Sequence, residues 1–129
     1  MMPEVVNALM NAPGLGDLLK FLGGISTRRH PPAFAPATFR SWFRRRGARR
    51  RSGPPVILWA DTFNNHFHPE VAKAAVEVLE DAGFRVIVPS ASLCCGRPLY
   101  DFGMLATARR LLRRIVDALR EPIRAGVPG

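Results

Sequence analysis

The sequence predicts an α/β fold: a truncated parallel-sheet, Rossmann-like βαβα unit, preceded by a short helical, arginine-rich arm. Three observations carry this. "VILWA" (residues 56–60) and "FRVIV" (84–88) are short continuous apolar runs, the pattern of strands buried on both faces. The residues between them repeat apolar side chains at helical spacing. The texture also changes near Gly53, which divides the chain into residues 1–53, the basic arm or interdomain linker, and residues 54–129, the sheet-forming unit.

Taken in order, "PEVVNALMNAPG" reads as a short helix, with Pro3 near its start and Pro13–Gly14 at its end. "LGDLLKFLGG" reads as a second, stopped by Gly23 and Gly24. "HPPAFAPA" is extended, because each proline turns its predecessor away from helix. "TFRSWFRRR" is a third helix with Thr38 as its cap. These pieces are too small and too interrupted to build a core alone, so the arm is expected to pack on something else.

In the second part, "VILWA" is followed by the polar loop "DTFNNHFH". Pro69 then opens a helix, with Glu70 well placed against the positive end of the helix dipole. Val71, Ala74, Ala75, Val78, Leu79 and Ala82 are the expected buried face, and Gly83 closes the helix. After "FRVIV" and the loop "PSASLCCGRPLY", Asp101 is expected to cap a last helix running to about Arg120. Its buried stripe would be Leu105, Ala108, Leu111, Leu112, Ile115 and Leu119, with Pro122 and Gly126 ending it. The pattern calls next for a third parallel strand, and the chain stops at "GVPG".

Composition narrows the function. The net charge is +9, from 17 arginines against Lys20 and Lys73. Charge of that size invites a nucleic-acid, anionic-membrane or acidic-protein partner. The main block, "FRSWFRRRGARRRSGPP" (39–55), carries no recognised nucleic-acid signature. Its Phe39, Trp42 and Phe43 fit a helix docked on a neighbouring domain better than a base-stacking surface. Arg109, Arg110, Arg113 and Arg114 form the solvated side of the last helix. No apolar run is long enough to span a bilayer, and the N-terminus lacks a basic segment followed by an apolar one. A cytoplasmic setting, with room for contact at the inner-membrane surface, is expected.

The chemistry centres on the only two cysteines, Cys94 and Cys95. An adjacent pair makes no disulfide framework and is more at home as a metal ligand or redox group in a reducing compartment. The competing reading is two buried thiols acting as small hydrophobes. Ligands gather at the carboxyl ends of strands in open α/β sheets. That rule brings Asp61, Thr62, Asn64, Asn65 and His66, after the first strand, close to the cysteine loop after the second. Gly96 lets the backbone turn and approach a bulky group. Arg97 is the arginine expected beside the thiols, where a cation favours thiolate. Asp61 either orients a ligand or caps its own loop. His66 is expected to line the site without ligating and His68 to be a helix-entry residue; the alternative has both completing a metal set with the thiols.

"CCGRPLYDFGMLATARRLL", with "LWADTFNNHFHPEVAKAAVEVLEDAGFRVIVP" upstream, resembles the cysteine-rich CCG domain of heterodisulfide reductase, of glycolate and lactate oxidase iron–sulfur subunits and of long FAD-linked oxidases. The arm "VNALMNAPGLGDLLKFLGGIS…PPAFAPATFRSWF" is similar to the linker before that domain, so the resemblance spans nearly the whole chain. It implies an electron-transfer portion of an FAD-linked oxidoreductase acting on 2-hydroxy acids of the lactate or glycolate type. Cys94 and Cys95 would be ligands of an iron–sulfur cluster of the 4Fe-4S kind, with Asp61, Thr62, Asn65, His66, Gly96 and Arg97 lining the site. FAD would belong to the parent protein rather than to this chain. The partners implied are the FAD-binding and ferredoxin-like segments of the same oxidoreductase. The family pattern has a cysteine after the first strand. Thr62 stands at about that place, 31 residues before Cys94, and a hydroxyl is a poor ligand for a soft metal. The pattern's downstream cysteine would fall just past Gly129. Clusters usually take four thiolates, so this chain is expected to need further ligands and to be inactive alone. The alternative reading is a non-catalytic basic binding module for nucleic acid or an acidic protein.

Overall fold

The computed structural model describes all residues except Met1, Ile25, Thr27, Arg50, Arg51, Pro128 and Gly129. Arg50 and Arg51 of the basic block therefore lie outside the described residues. The element order is α1 (Pro3–Asn11), α2 (Leu15–Leu22), α3 (Phe39–Arg46), β1 (Pro55–Ile57), α4 (Thr62–His66), α5 (Pro69–Asp81), β2 (Arg85–Ile87), α6 (Arg97–Asp101) and α7 (Leu105–Arg124). β1 and β2 pair in parallel, with Val56 opposite Val86. The expected α/β class is thus present as a small two-stranded parallel sheet with helices around it.

The core is small and is anchored by the basic segment. Phe39, the first residue of α3, is completely buried against Ala72 and Val76 of α5 and Val86 of β2. Trp42, Phe43, Val56, Leu79 and Val88 close around it. Thr38 caps α3 as its sequence suggests: its hydroxyl accepts from the Ser41 N–H at 3.1 Å. On the far side, Arg46 donates to both oxygens of the buried Glu80 carboxylate, at 3.2 and 2.5 Å. The Arg49 N–H donates to the same carboxylate at 3.0 Å. That hydrogen-bonded carboxylate holds the Arg46 guanidinium above its ordinary pKa, against the lowering effect of burial. Trp42 takes a cation from each helix: Arg46 Cζ lies 5.1 Å and Lys73 Nζ 5.5 Å from its ring centre. The polar contacts thus finish what the aromatic packing begins.

Five expectations are corrected. The buried face of α5 is Ala72 and Val76 with Glu80, while Val71 and Val78 are exposed. Apolar residues cover more than half the circumference of α5, so periodicity alone does not choose the stripe. The small side chains of the Ala72 face admit the Phe39 ring and bring Glu80 to Arg46. The "polar loop" after β1 contains the short helix α4, because the Asp61 carboxylate caps it. Asp101 caps no helix; it is the last residue of α6, which Pro98 starts earlier, and α7 opens at Leu105 without a side-chain cap. Pro122 lies inside α7 rather than ending it, one turn before the break at Gly126. On α7 itself Ala108 is buried, and Leu111, Ile115 and Leu119 are half-buried, as expected. Leu105 and Leu112 are exposed.

α1 and α2 form a hairpin of their own. Its crossing is close at Gly16, where a Cβ would stand 2.5 Å from the Met10 carbonyl oxygen. The Asn7 side chain ties the hairpin to the extended segment, donating to Phe34 O and accepting from Phe34 N, both at 2.8 Å. Phe34 stacks on Phe67, with centroids 4.7 Å apart, and Ala35 N donates to His66 O at 2.8 Å. The extended segment is thereby laid along α4.

Two stability measurements test this arrangement. Phe39→Ala empties the centre of the core and should cost about 3–5 kcal/mol in urea unfolding, enough to leave so small a core largely unfolded. Glu80→Gln leaves the Arg46 cation without its carboxylate at a nearly buried site and should cost about 3 kcal/mol. A loss under roughly 0.5 kcal/mol, the ordinary range for surface substitutions, would remove the pair from the set of interactions that hold α3.

Candidate functional site

The cysteine loop leaves the carboxyl end of β2. It runs irregularly from Val88 to Cys95 and ends where Gly96 opens α6. Cys94 and Cys95 are free thiols and both are exposed. The buried-hydrophobe reading of the pair is therefore excluded; what is buried is their neighbour, Leu93. Leu93 roots the loop in the protein while the sulfurs face outward.

Gly96 has two reasons to be glycine. Its φ is +67°, the left-handed region. It is also buried, and a Cβ there would stand 3.1 Å from Leu111 Cδ1 and 3.6 Å from the Ala108 Cα of α7. The glycine thus lets the thiol-bearing loop lie directly on α7.

The loop after β1 is its neighbour. Asp61 accepts from Asn64 N at 2.8 Å and from Asn64 Nδ2 at 3.1 Å, so it caps its own loop. Asn65 is buried; its Oδ1 accepts from Arg40 N at 3.1 Å, and its Nδ2 lies 2.9 Å from His66 Nε2. Thr62, the first residue of α4, is exposed. Asp61, Thr62, Asn65 and His66 share one small cleft, of about 20 Å³, with Arg40, Ser92 and Leu93. The two loops therefore meet, as the rule for strand ends predicts. They meet through Ser92 and Leu93, and the thiols stand just beyond. A cleft of that size holds hardly more than one water molecule.

The remaining candidates lie apart. Arg97 is exposed, with its Nε 4.0 Å from Asp101 Oδ1, one turn along α6. His68 is exposed at the entry to α5 and lies 3.1 Å from Glu70 Oε1. The Glu70 carboxyl is held below its usual range, first by a hydrogen bond from its own backbone N–H at the helix start and then by His68. Among the described residues, no three His, Cys, Asp or Glu side chains are gathered as a bound metal ion would need.

Sequence reasoning passed over Arg40, Trp59 and Leu93, the residues that hold the cysteine loop. Arg40 Nη2 donates to Ser90 O, and Trp59 Nε1 donates to Leu93 O at 3.4 Å. Nothing in the run "FRSWFRRR" sets Arg40 apart from its neighbours. Only its place on the first turn of α3, beside Phe39, would mark it.

If the contact at Gly96 matters as its geometry implies, Gly96→Ala should cost about 1–2 kcal/mol from the left-handed backbone alone, and more if Leu111 cannot give way. Chemical denaturation checks the cost. A neutral substitution would show that the loop and α7 separate freely.

The comparisons with known proteins accord with this geometry. The family model of the cysteine-rich domain, CCG, matches residues 61–126. A subunit of the anaerobic glycerol-3-phosphate dehydrogenase of Escherichia coli (strain K12) is 31% identical over 126 residues, covering 97% of this chain and 31% of the relative. Lactate utilization protein A of Bacillus velezensis is 36% identical over 66 residues, covering 51% of this chain and 28% of the relative. Its counterpart in Geobacillus kaustophilus is 38% identical over 66 residues. The chain spans about a third of the length of these curated relatives. No solved structure matches it significantly. The matched residues take in the capped loop after β1, the thiol doublet and all of α7, and the chain belongs to the cysteine-rich CCG domain family.

Proposed function

We propose that this chain is part of the electron-transfer portion of an iron–sulfur oxidoreductase, with Cys94 and Cys95 as thiolate ligands of the cluster. The observation that carries this reading is the outward presentation of two adjacent free thiols at the carboxyl edge of a parallel sheet. A buried pair would be inert, whereas an exposed one is open to a metal.

The donor set fits the group in kind and falls short in number. Thiolate sulfur is the ligand iron–sulfur clusters take, and about four are usual. The described residues offer two, with no third soft donor beside them. Thr62, where the family pattern has a cysteine, gives only a hydroxyl. The remaining ligands would come from outside these 129 residues, and no electron-transfer step is assigned to this chain alone. When complete, a cluster would pass single electrons. What the chain itself contributes is an exposed pair of thiols on a loop rooted by the buried Leu93 and Gly96.

On this reading, residues 54–129 are the cysteine-rich unit and residues 1–53 the segment joining it to the FAD-binding and ferredoxin-like parts of the same oxidoreductase. The cluster would be of the 4Fe-4S type and the flavin would sit elsewhere. The substrate would be a 2-hydroxy acid of the lactate or glycolate type. The names of the relatives support an alcohol as substrate: lactate and glycerol 3-phosphate both carry a secondary one. A cytoplasmic location, with peripheral contact at the inner membrane, follows from the same assignment. No helix among the described residues is long and apolar enough to cross a membrane. The basic-module reading loses ground, because Arg40 and Arg46 of the block turn to Ser90 and Glu80 within the protein.

Anaerobic reconstitution with iron and sulfide tests the assignment. The expected product absorbs in the visible, requires both thiols and loses its iron to a chelator within minutes, as two-thiolate anchoring implies. Cys94→Ser and Cys95→Ser should each abolish it. Iron retained equally by the double serine variant would overturn the proposal.

A further inference from the structure

Residues 89–95, which carry the thiols, belong to no helix or strand. Among the described residues, no backbone–backbone hydrogen bond reaches any of them. A loop without such bonds takes its order from what else touches it. Leu93 and Gly96 root its far end. Along its length two side chains donate to its carbonyls: Trp59 to Leu93 O, and Arg40 to Ser90 O. The Trp59 contact, at 3.4 Å, is long for an N–H···O bond. The Arg40 contact brings a guanidinium cation to a carbonyl of the loop.

Arg40 is fixed at its other end as well. It follows the buried Phe39, and its main-chain N–H donates to Asn65 Oδ1 at 3.1 Å. Asn65 is itself buried and lies 2.9 Å from His66 through its other side-chain atom. One residue of the basic segment therefore joins three pieces: α3, the loop and helix after β1, and the loop that bears the thiols.

We propose that Arg40 is a positioning residue for the thiol doublet. It transmits the docking of α3 to the cysteine loop by holding the Ser90 carbonyl, and so sets the spacing at which Cys94 and Cys95 are offered to a metal. The inference rests on these thiols being the functional groups; it does not depend on which metal they take. It also gives one arginine of the basic block an inward role, distinct from the solvated Arg44 and Arg45.

The test uses the full-length, reduced, iron-free protein, so that failed reconstitution leaves it readable. Arg40→Met keeps the alkyl stem and the main-chain bond to Asn65 while removing the guanidinium. Arg40→Lys keeps a cation. Backbone order parameters of residues 90–95 should fall in Arg40→Met from the rigid range, about 0.85, toward about 0.6. Alkylation of the two thiols by iodoacetamide should change by roughly threefold or more, near the low end of what losing one net hydrogen bond gives. Order parameters across α5 should stay as in the parent, and Arg40→Lys should recover much of the difference. Unchanged loop order and thiol reactivity in a folded Arg40→Met would overturn the proposal. So would loosening that spreads equally into α5, which would make Arg40 a general stabilising residue. Should Arg40→Met not fold, the same comparison is made on Arg40→Lys. There a partial loss confined to residues 90–95 supports the role, and a loss shared with α5 overturns it.

Discussion

The structure depends on one buried ring. Phe39 lies at the junction of α5 and β2, and no other large side chain of this core except Val76 is so completely enclosed. A two-stranded sheet cannot bury much on its own. With strands of only three residues, β1 and β2 offer too little surface to hold α5 without help. The help comes from a segment whose mean composition is strongly basic. Hydrophobic burial at one position of α3 thus brings a run of arginines onto the protein.

The electrostatics follow from that docking. A basic helix laid against a domain of the same net sign gains nothing from the overall field. It needs local acceptors, and it finds them at chosen places. Glu80 turns inward on α5 to meet Arg46, which is why the buried stripe of that helix includes a carboxylate and leaves Val71 and Val78 outside. Trp42 offers its ring face to two cations, one from its own helix and one from α5. The interface is therefore selective: the arginines with a partner are fixed, and Arg44 and Arg45 remain in solvent.

How much of this was legible in the sequence depends on how local the governing physics is. Both strands, the crossover helix and the Thr38 cap could be read, because apolar runs, Pro69 and a hydroxyl at a helix start act over a few residues. The meeting of the cysteine loop with the loop after β1, through Ser92 and Leu93, also followed from the strand-end rule, whereas the exposure of Cys94 and Cys95 did not, since buried thiols fitted the sequence as well. What failed was rotational. The α5 pattern fits two stripes, and only Phe39, more than thirty residues away in sequence, selects one. The helix α4 was missed because five residues carry almost no periodicity, although Asp61 with Asn64 is a capping pattern. Asp101 looked like a cap, but Pro98 had already set the start of α6. Gly96 was marked as a place where the backbone turns, as its positive φ shows, while its packing on Leu111 and Ala108 could not be read, since α7 lies further along the chain. Arg40 was illegible, since its role depends on a carbonyl fifty residues on.

The site and the fold also share an unevenness of burial. The thiols face outward, and so do many large apolar side chains: Phe102, Leu105, Val116 and Ile123 around α7, and Leu18, Phe21 and Leu22 on α2. Single exposed apolar residues need no explanation, but a line of them along one helix does. Leu105, Leu112, Val116 and Ile123 recur at intervals that place them on one side of α7, bordered by Arg109 and Arg120. Gly96, next to the thiol doublet, seats its loop on an adjoining side of the same helix, at Ala108 and Leu111. A surface of this kind suits a module that acts against another body of protein, since the same association would cover the apolar line and bring further ligands to the sulfurs. Two exposed thiols on a loop rooted by the buried Leu93 are open to donors from such a body. The curated relatives are about three times as long as the stretch they share with this chain, and so carry further protein against which such a surface would lie in them.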